Sequence, residues 1–269
     1  MRSQRRGARR LLAAAVRSLN TMLALSLCGA ALGSGCSWLN RRSREQLATS
    51  LQELVPHGDR DHFVYITRHS GGDAATLQVE HVTALDDRGA FEVTMSENGT
   101  ATGRLRARDD GTRILLLDED DFTRDIRLSY DPPLLYLEVP LFTGEWRTTS
   151  TARVSRLSDG EPAGSLLVTQ VVSASAAAAV KTVLGIYPHP IAVRTIRTLQ
   201  GPEGDIQLDT TMLLVPGVGE IRSTGGVSGT PVLERELACA LIGSRAIGDC
   251  RQLNVQPQEG NRAGSPDVQ

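Results

Sequence analysis

Short β-rich segments and tight turns alternate along most of the chain after residue 60, and this alternation is the strongest constraint on its fold. Phe91, Val93 and Met95, for example, alternate with polar neighbours, as in a half-buried strand. Asn98-Gly99 and Asp110-Gly111 mark tight turns. The segments between turns leave no room for crossover helices, so consecutive strands must pair antiparallel. We therefore predict a mainly β fold, a curved antiparallel sheet that forms a half-barrel or a sandwich; the pattern leaves open whether the sheet closes.

Proline and alanine positions modify this pattern. Asp131-Pro132-Pro133 is expected to interrupt the strands. Pro56 is expected to end a short amphipathic helix over residues 43–54. The alanine-rich segment 174–184 favours one further helix. Additional strands are predicted over residues 134–139, 146–157, 165–172, 191–199, 206–215 and 231–241.

The first 36 residues have the layout of an export signal. Six arginines and no acidic residue accompany an apolar stretch over residues 19–32, which is followed by Gly33-Ser34-Gly35-Cys36. The apolar stretch is shorter than the ~20 residues that a transmembrane helix needs, so an export signal is favoured over a membrane span. We expect residues 1–35 to be removed as a signal peptide.

The segment Leu32-Gly33-Ser34-Gly35-Cys36 resembles the lipobox of bacterial lipoproteins, although Gly33 stands where leucine is usual. The resemblance implies that Cys36 becomes the first residue of the mature chain and carries diacylglycerol through a thioether. It also implies a membrane partner, which is the outer membrane, from its periplasmic side, if the cell has two membranes. Ser37 supports this sorting because it is not the aspartate that retains many lipoproteins at an inner membrane. Ordinary secretory cleavage at the same small residues remains the alternative.

Export also bears on the cysteines, since disulfides persist in oxidising compartments. If Cys28 is removed with the signal and Cys36 carries lipid, Cys239 and Cys250 remain and can form a disulfide. Two unpaired thiols are the alternative. The chain is thus expected to have four regions: a signal peptide (1–35), a lipid-anchored tether with a short helix (36–60), a β domain (61–250) and a disordered polar tail (251–269).

Charge argues against a nucleic-acid partner. Removal of the six signal-peptide arginines leaves 23 basic residues against 31 acidic ones, a net charge of −8 for the mature chain. A protein that binds nucleic acid presents a basic face or stripe, which this chain lacks. We expect no nucleic-acid partner.

Groups that could support catalysis or metal binding are scattered. Residues 118–121, Asp-Glu-Asp-Asp, offer oxygen ligands for calcium but lack the spacing of a calcium loop, so a charged strand end is favoured. Gly226-Val227-Ser228-Gly229 is one position short of a G-x-S-x-G nucleophile motif. We predict no catalytic residue, no metal site and no cofactor. Four histidines also lack the spacing of convergent zinc ligands: His57, His62, His69 and His81.

Two short segments bear on function. Residues 142–146, Phe-Thr-Gly-Glu-Trp, and residues 215–220, Val-Pro-Gly-Val-Gly-Glu, resemble turn motifs of uncharacterised exported β-rich domains of bacterial envelopes. This resemblance implies a β-rich fold and no activity. We expect a non-catalytic lipoprotein that binds an apolar ligand or lipid in its curved sheet. The near-equal alternative is a structural or assembly lipoprotein that docks on another envelope protein. An envelope hydrolase is the least favoured possibility.

Overall fold

Twelve strands form a closed antiparallel barrel in the computed structural model, which describes residues 45–70, 75–202, 204–228 and 232–253. The predicted signal peptide, Cys36, the tether up to residue 44 and the tail from residue 254 lie outside the described residues, whereas the first three residues of the predicted tail, 251–253, belong to a 3-10 helix. In chain order the elements are β1 (Gln46–Ala48), α1 (Leu51–Leu54), β2 (His62–His69), β3 (Ala75–Ala84), β4 (Ala90–Glu97), β5 (Thr100–Asp109), β6 (Arg113–Asp121), β7 (Ile126–Glu138), β8 (Leu141–Phe142), β9 (Gly144–Arg156), β10 (Pro162–Ala176), β11 (Val180–Thr182), β12 (Gly185–Tyr187), β13 (Ile191–Gly201), β14 (Gly204–Val215), β15 (Gly219–Val227), β16 (Leu233–Ile242), β17 (Arg245–Ile247) and a 3-10 helix (Cys250–Leu253).

The barrel is an up-and-down meander in which each strand pairs with the barrel strands before and after it in the chain. The barrel strands are β2 to β7, β9, β10 and β13 to β16. The sheet closes because β16 pairs with β2 on one side and with β15 on the other. Within the described strands, closure leaves no long barrel edge open to another chain. The prediction of a mainly β, antiparallel fold is confirmed, and the curved sheet is a complete barrel.

Side chains alternate between the barrel interior and the outside. Along β13, every second residue from Ile191 to Leu199 is buried, and the residues between them are partly exposed. An eight-stranded barrel has an interior that side chains just fill, and the diameter grows with the number of strands. Twelve strands therefore enclose more space, which here holds an apolar core, several charged side chains and a cavity.

The prolines at 132 and 133 do not interrupt the sheet as expected. Strand β7 continues through them, from Ile126 to Glu138. Residues 126–131 pair with β9, and residues 134–138 pair with β6 beyond a bulge. Pro132 and Pro133 lie between these two stretches and have no register partner on either neighbour, so their missing N–H groups remove no ladder hydrogen bond.

The prediction of a helix over residues 174–184 is wrong. Strand β10 extends to Ala176, and β11 and β12 then form a small antiparallel hairpin, the side hairpin (residues 180–187). Ala174 is 4% exposed and pairs with Val193, so its small side chain packs inside the barrel. Alanine has a high helix propensity, but pairing and burial override it here.

The N-terminal helix is shorter than predicted. Only Leu51–Leu54 is helical, and Gln46–Ala48 instead forms β1, which pairs with β8. Ser50 caps the helix because its hydroxyl accepts a hydrogen bond from the Glu53 N–H at 3.4 Å. Residues 43–44 of the expected helix lie outside the described residues.

The barrel has a seam between β15 and β16, which share only four register pairs, Arg222–Gly225 with Leu233–Glu236. Toward the end of β16 the short strand β17 pairs with it instead. The side hairpin is bonded to the outside of this seam. Glu236 accepts a hydrogen bond from the Val183 N–H at 2.6 Å, and Arg222 donates to the Lys181 carbonyl at 3.0 Å.

A disulfide joins Cys239 and Cys250, the pair predicted from the sequence, with Cα atoms 5.4 Å apart. It fixes the 3-10 helix to strand β16. Leu184 of the side hairpin contacts the same place, since a Cβ at Gly248 would lie 2.6 Å from Leu184 Cδ2 and 3.3 Å from Cys239 Cβ. The bridge, the C-terminal segment and the side hairpin therefore pack together on the outside of the barrel.

Candidate functional site

A cavity of about 160 Å³ lies inside the barrel and has two chemically different walls. Strands β4 and β5 and the first part of β6 provide an apolar wall, whereas Glu119 further along β6 adds a carboxylate. Strands β3, β14, β15 and β16 provide a mixed wall, in which polar and charged side chains lie beside Val82, Met212, Leu214 and Leu233. The apolar wall consists of Phe91, Val93, Met95, Leu105, Ile114 and Leu116, and the polar side chains of the other wall are Gln78, Glu80, Thr210, Glu220, Ser223 and Arg235.

Arg235 is the centre of the polar wall. It donates two hydrogen bonds to the Glu220 carboxylate, each 2.7 Å long, and a third to Glu80. Its Nε also donates to the Ser223 hydroxyl at 3.1 Å, and its guanidinium lies 4.4 Å from the ring centre of Tyr65. Burial alone would lower the pKa of Arg235, but the carboxylates of Glu220 and Glu80 outweigh burial and raise it, so the guanidinium stays charged.

Two tyrosines beside this cluster keep their protons. Burial, and then the negative charges of Glu80 and Glu220, raise the pKa of Tyr65. Burial followed by Glu220 raises the pKa of Tyr136 in the same direction. The Tyr136 hydroxyl lies 3.2 Å from Met212 Sδ. Both phenols are therefore neutral groups in the cavity wall at neutral pH.

A second charged cluster lies next to the cavity. Arg197 is 1% exposed and donates to Glu119 at 2.8 Å and to the Gln170 side chain at 3.0 Å. Its Nη1 also donates to the Tyr130 hydroxyl at 3.3 Å. Glu119 lines the cavity. Because each partner neutralises the other, this pair adds no net charge to the interior.

The N-terminal segment, residues 45–57, closes one end of the barrel. Leu54 is fully buried in the core, and Pro56 and His57 line the cavity. His57 Nε2 lies 2.9 Å from Asp109 Oδ2, and the His57 ring stacks on Phe91 with centroids 4.6 Å apart. The chain that leads from Cys36 therefore ends in a plug that forms part of the cavity wall.

Both turn motifs noted in the sequence hold this plug. Thr143, in the first motif, exchanges two hydrogen bonds with Glu45, of 2.8 and 3.1 Å. In the second motif, the Gly217 N–H donates to the Glu53 carbonyl at 2.7 Å. Gly219 lies so close to the plug that a Cβ there would be 2.8 Å from Pro56 Cδ. The two motifs thus share one structural role at the same end of the barrel.

Gly219→Ala is expected to loosen the plug. The substitution forces a methyl group against Pro56 and also places alanine at a φ of +90°. Gly111→Ala is the matched control, because Gly111 has a φ of +94° and no atom within 4 Å of its would-be Cβ. We expect Gly219→Ala to lower the free energy of unfolding by about 1–3 kcal/mol more than Gly111→Ala, measured by urea denaturation. Equal losses would mean that Gly219 does not hold the plug.

The opposite end of the barrel has a smaller pocket of about 20 Å³. Gln78, Met95 and Leu233 line both this pocket and the main cavity, so the two are adjacent. Glu97 and Asp121 add two carboxylates to the rim of the small pocket. Asp121 is paired with Arg124, and Glu97 accepts a hydrogen bond from the Thr76 hydroxyl at 2.6 Å.

The acidic run at residues 118–121 forms the C-terminal end of strand β6, as expected, but it is paired with β5 and β7 and therefore does not protect an open edge. Its side chains divide between the two faces of the barrel wall. Asp118 bonds to Arg106 and Asp120 to Arg104 and Arg127, whereas Glu119 bonds to the interior Arg197. The four carboxylates do not converge on one point.

The histidines are also separated. His62 and His81 are register partners on β2 and β3, with ring centroids 6.1 Å apart, a pairing that the sequence spacing did not reveal. Burial, and then the nearby His81, lower the pKa of His62. His57 and His69 lie at opposite ends of the barrel. Among the described residues no three His, Cys, Asp or Glu side chains are grouped as metal ligands.

The glycine-serine segment that resembled a nucleophile motif has no sharp strand-to-helix turn in its described part. Gly226 and Val227 belong to strand β15, and the Ser228 N–H donates to the Gln207 carbonyl at 3.2 Å. Gly229 lies outside the described residues. The expectation that the protein is not an enzyme stays a prediction.

No family model matches the chain, and no curated protein matches it. Two crystal structures have a similar fold. One is a candidate exported protein with a YmcC-like fold from Bacteroides fragilis, with a TM-score of 0.44 and 14% identity over 72% of this chain and 98% of that one. The other is a candidate lipoprotein from Parabacteroides distasonis, with a TM-score of 0.46 and 10% identity over 71% of this chain and 98% of that one.

Attachment of the protein to a membrane stays a prediction. Within the described residues, no helix has the length and apolar character required to cross a bilayer. Lipid attachment at Cys36 lies outside the described part of the chain. The cavity, its two walls and the plug together form the candidate functional site.

Proposed function

We propose that the protein is a lipid-anchored envelope lipoprotein that binds a small ligand, without catalysis, in the cavity of its barrel. The observation that carries the proposal is the cavity itself, about 160 Å³ between an apolar and a polar wall. Protein interiors are close-packed, and voids much larger than a water molecule are few. A void of this size lined by hydrogen-bonding groups is therefore a candidate binding site.

The volume limits what the cavity can hold. An engineered protein cavity of about 150 Å³ takes up benzene, so this cavity suits a ring or a short alkyl segment. A complete lipid acyl chain would have to extend beyond the cavity. The earlier expectation of an apolar ligand or lipid is therefore narrowed to a small ligand, or to one short part of a larger molecule.

The position of the plug supports a role beside a membrane. Cys36 precedes Glu45 by nine residues, a length that spans at most about 30 Å when extended. A lipid on Cys36 would hold the plugged end of the barrel within that distance of the bilayer. The disulfide between Cys239 and Cys250 is consistent with a location outside the cytosol.

Docking on another envelope protein is the second candidate, and the side hairpin is the feature that favours it. Val183 is 60% exposed and Ile186 is 70% exposed on the outside of the seam. Exposed apolar residues that stand together mark contact surfaces more often than residues that stand singly. Docking on another protein does not account for the cavity, so we rank the docking function second.

Benzene uptake tests the binding function. Met95 and Met212 both line the cavity, so their methyl groups report directly on its contents. With protein labelled at the methionine methyl carbons, we expect benzene to shift both resonances and to show saturation. Leu105→Trp, which fills the cavity, should abolish the shifts.

The matched control is Leu167→Trp, because Leu167 is 49% exposed on the outside of β10 and does not line the cavity. This variant should bind benzene as the unmodified protein does. The proposal fails if benzene leaves the two methionine resonances unchanged, or if Leu105→Trp and Leu167→Trp behave alike.

A further inference from the structure

The charge balance of the cavity wall restricts the ligand. Among the described residues, the glutamates and arginines of the cavity wall and of the adjoining Arg197 cluster are three carboxylates and two guanidinium groups, a surplus of one negative charge, and the Asp109 carboxylate at the plug is paired with His57. The Glu119–Arg197 pair is balanced. The surplus therefore belongs to Glu80, Glu220 and Arg235. A buried charge without a counterion is unfavourable, so a cation in the cavity would be stabilised.

Arg235 is not available to an anionic ligand. All three of its nitrogens donate to Glu220, Glu80 or Ser223, and Tyr65 lies against its guanidinium. A carboxylate or phosphate that approached Arg235 would also meet the two glutamates that already hold it. Such a head group would add negative charge to a wall that has a surplus, which is unfavourable at low dielectric constant.

Acceptors for an ammonium group are present on the same wall. Thr210 is 4% exposed, and its hydroxyl has no hydrogen-bond partner within the described residues. Thr210, Met212 and Leu214 alternate along β14 and all line the cavity, so the Thr210 side chain points inward. A buried hydroxyl without a partner is uncommon, and a ligand N–H group that donates a hydrogen bond to its oxygen would satisfy it.

Thr210 and Arg235 lie close in the sheet. Thr210 pairs with Gly225 on β15, Met212 pairs with Ser223, and Ser223 pairs with Arg235 on β16. The unpartnered hydroxyl on β14 is therefore one strand away from Glu220 on β15 and two strands away from Arg235 on β16. The apolar wall of β4 to β6 lies across the cavity from both.

We propose that the cavity ligand is a primary amine with a small apolar body, about the size of a benzene ring, and that Glu80 and Glu220 select its ammonium group. The apolar body packs against Phe91, Val93 and Leu105, and the ammonium group lies at the polar wall. The carboxylates of Glu97 and Asp121 line the small pocket that adjoins the cavity. This inference rests on the proposed binding function and adds the chemical class of the ligand.

Three compounds that share a benzyl group separate the possibilities: benzylamine, benzyl alcohol and benzoate. We titrate each into the complete chain at neutral pH and follow the methyl resonances of Met95 and Met212. Benzylamine should bind at least ~10-fold more tightly than benzyl alcohol, because a hydrogen bond to a charged group is stronger than a neutral one. Benzoate should bind most weakly.

Glu80→Gln and Glu220→Gln each remove the surplus charge while retaining an acceptor for Arg235. Either variant should reduce the preference for benzylamine over benzyl alcohol to less than about threefold and leave the affinity for benzyl alcohol nearly unchanged. Two variants are tested because the affinities measured on either one are enough to test the prediction if the other variant does not fold. Glu145→Gln, at an exposed position of β9, is the control and should retain the full preference.

Equal binding of benzylamine and benzyl alcohol would overturn the amine inference and leave the proposed binding function intact. Tightest binding of benzoate would also overturn it, since Arg235 would then act as an anion receptor. If none of the three compounds nor benzene perturbs Met95 and Met212, both the ligand class and the binding function are wrong. A preference for benzylamine that survives in both glutamine variants would contradict the roles of Glu80 and Glu220.

Discussion

Arg197→Met is expected to lower the free energy of unfolding by about 3–5 kcal/mol, the largest effect of any single substitution discussed for this barrel. Arg197 is 1% exposed, and its guanidinium is the charged partner of Glu119 inside the barrel. Burial alone would lower the pKa of Arg197, but Glu119 and Tyr130 outweigh it and raise the pKa. Methionine fills much of the same volume but leaves the Glu119 carboxylate without its counterion.

Two further variants isolate the charge from the packing. Arg197→Met combined with Glu119→Leu removes both ions, and it should recover most of the lost stability because a buried pair can be replaced by apolar groups at little net cost. Arg153→Met breaks the exposed pair with Asp131, whose side chains are 73% and 67% exposed, and should change stability by less than about 1 kcal/mol. Urea denaturation at neutral pH measures all three. A loss in Arg197→Met no larger than in Arg153→Met would contradict the role of the buried pair.

Cys36→Ser is expected to move the protein almost entirely from the membrane fraction to the soluble fraction. The predicted anchor is a lipid on Cys36, and each buried methylene contributes about 0.8 kcal/mol to membrane binding. Serine retains the size of the residue but provides no sulfur for the thioether. Fractionation of the producing cells, followed by detection of the protein, measures the distribution.

Cys28→Ser is the matched control for this variant. Cys28 lies within the predicted signal peptide and is expected to be absent from the mature protein. The substitution should therefore leave the membrane fraction unchanged. Retention of Cys36→Ser in the membrane fraction would show that another part of the chain anchors the protein.

The local pattern of the sequence predicted the strands because a half-buried strand needs alternating polarity. Phe91, Val93 and Met95 face the interior as that alternation requires. Closure of the barrel was not predictable, since it depends on pairing between β2 and β16, which are far apart in the chain. The helix prediction for residues 174–184 was wrong because it relied on the local helix propensity of alanine. The pairing of Ala174 with Val193, which places this segment in a strand, joins residues on two different strands.

The candidate site was predicted only in part, for the same reason. The sequence suggested an apolar cavity in a curved sheet, and the apolar wall has that character. The charged wall joins residues that are distant in sequence: Arg235 and Glu80 are 155 residues apart, and Arg197 and Glu119 are 78 apart. No spacing rule for strands or helices relates such positions. The role of residues 142–146 and 215–220 as holders of the plug likewise required the tertiary structure.

The measurement that tests the central claim most directly is mass spectrometry of the intact, folded protein purified from the membranes of the cells that produce it. We expect the unmodified protein to carry a bound small molecule in addition to its own mass, and Leu167→Trp to carry the same molecule. Leu105→Trp, with its cavity filled, should carry none. An unmodified protein without any bound molecule, or an equal amount of the molecule on Leu105→Trp, would contradict a ligand-binding role for the barrel cavity.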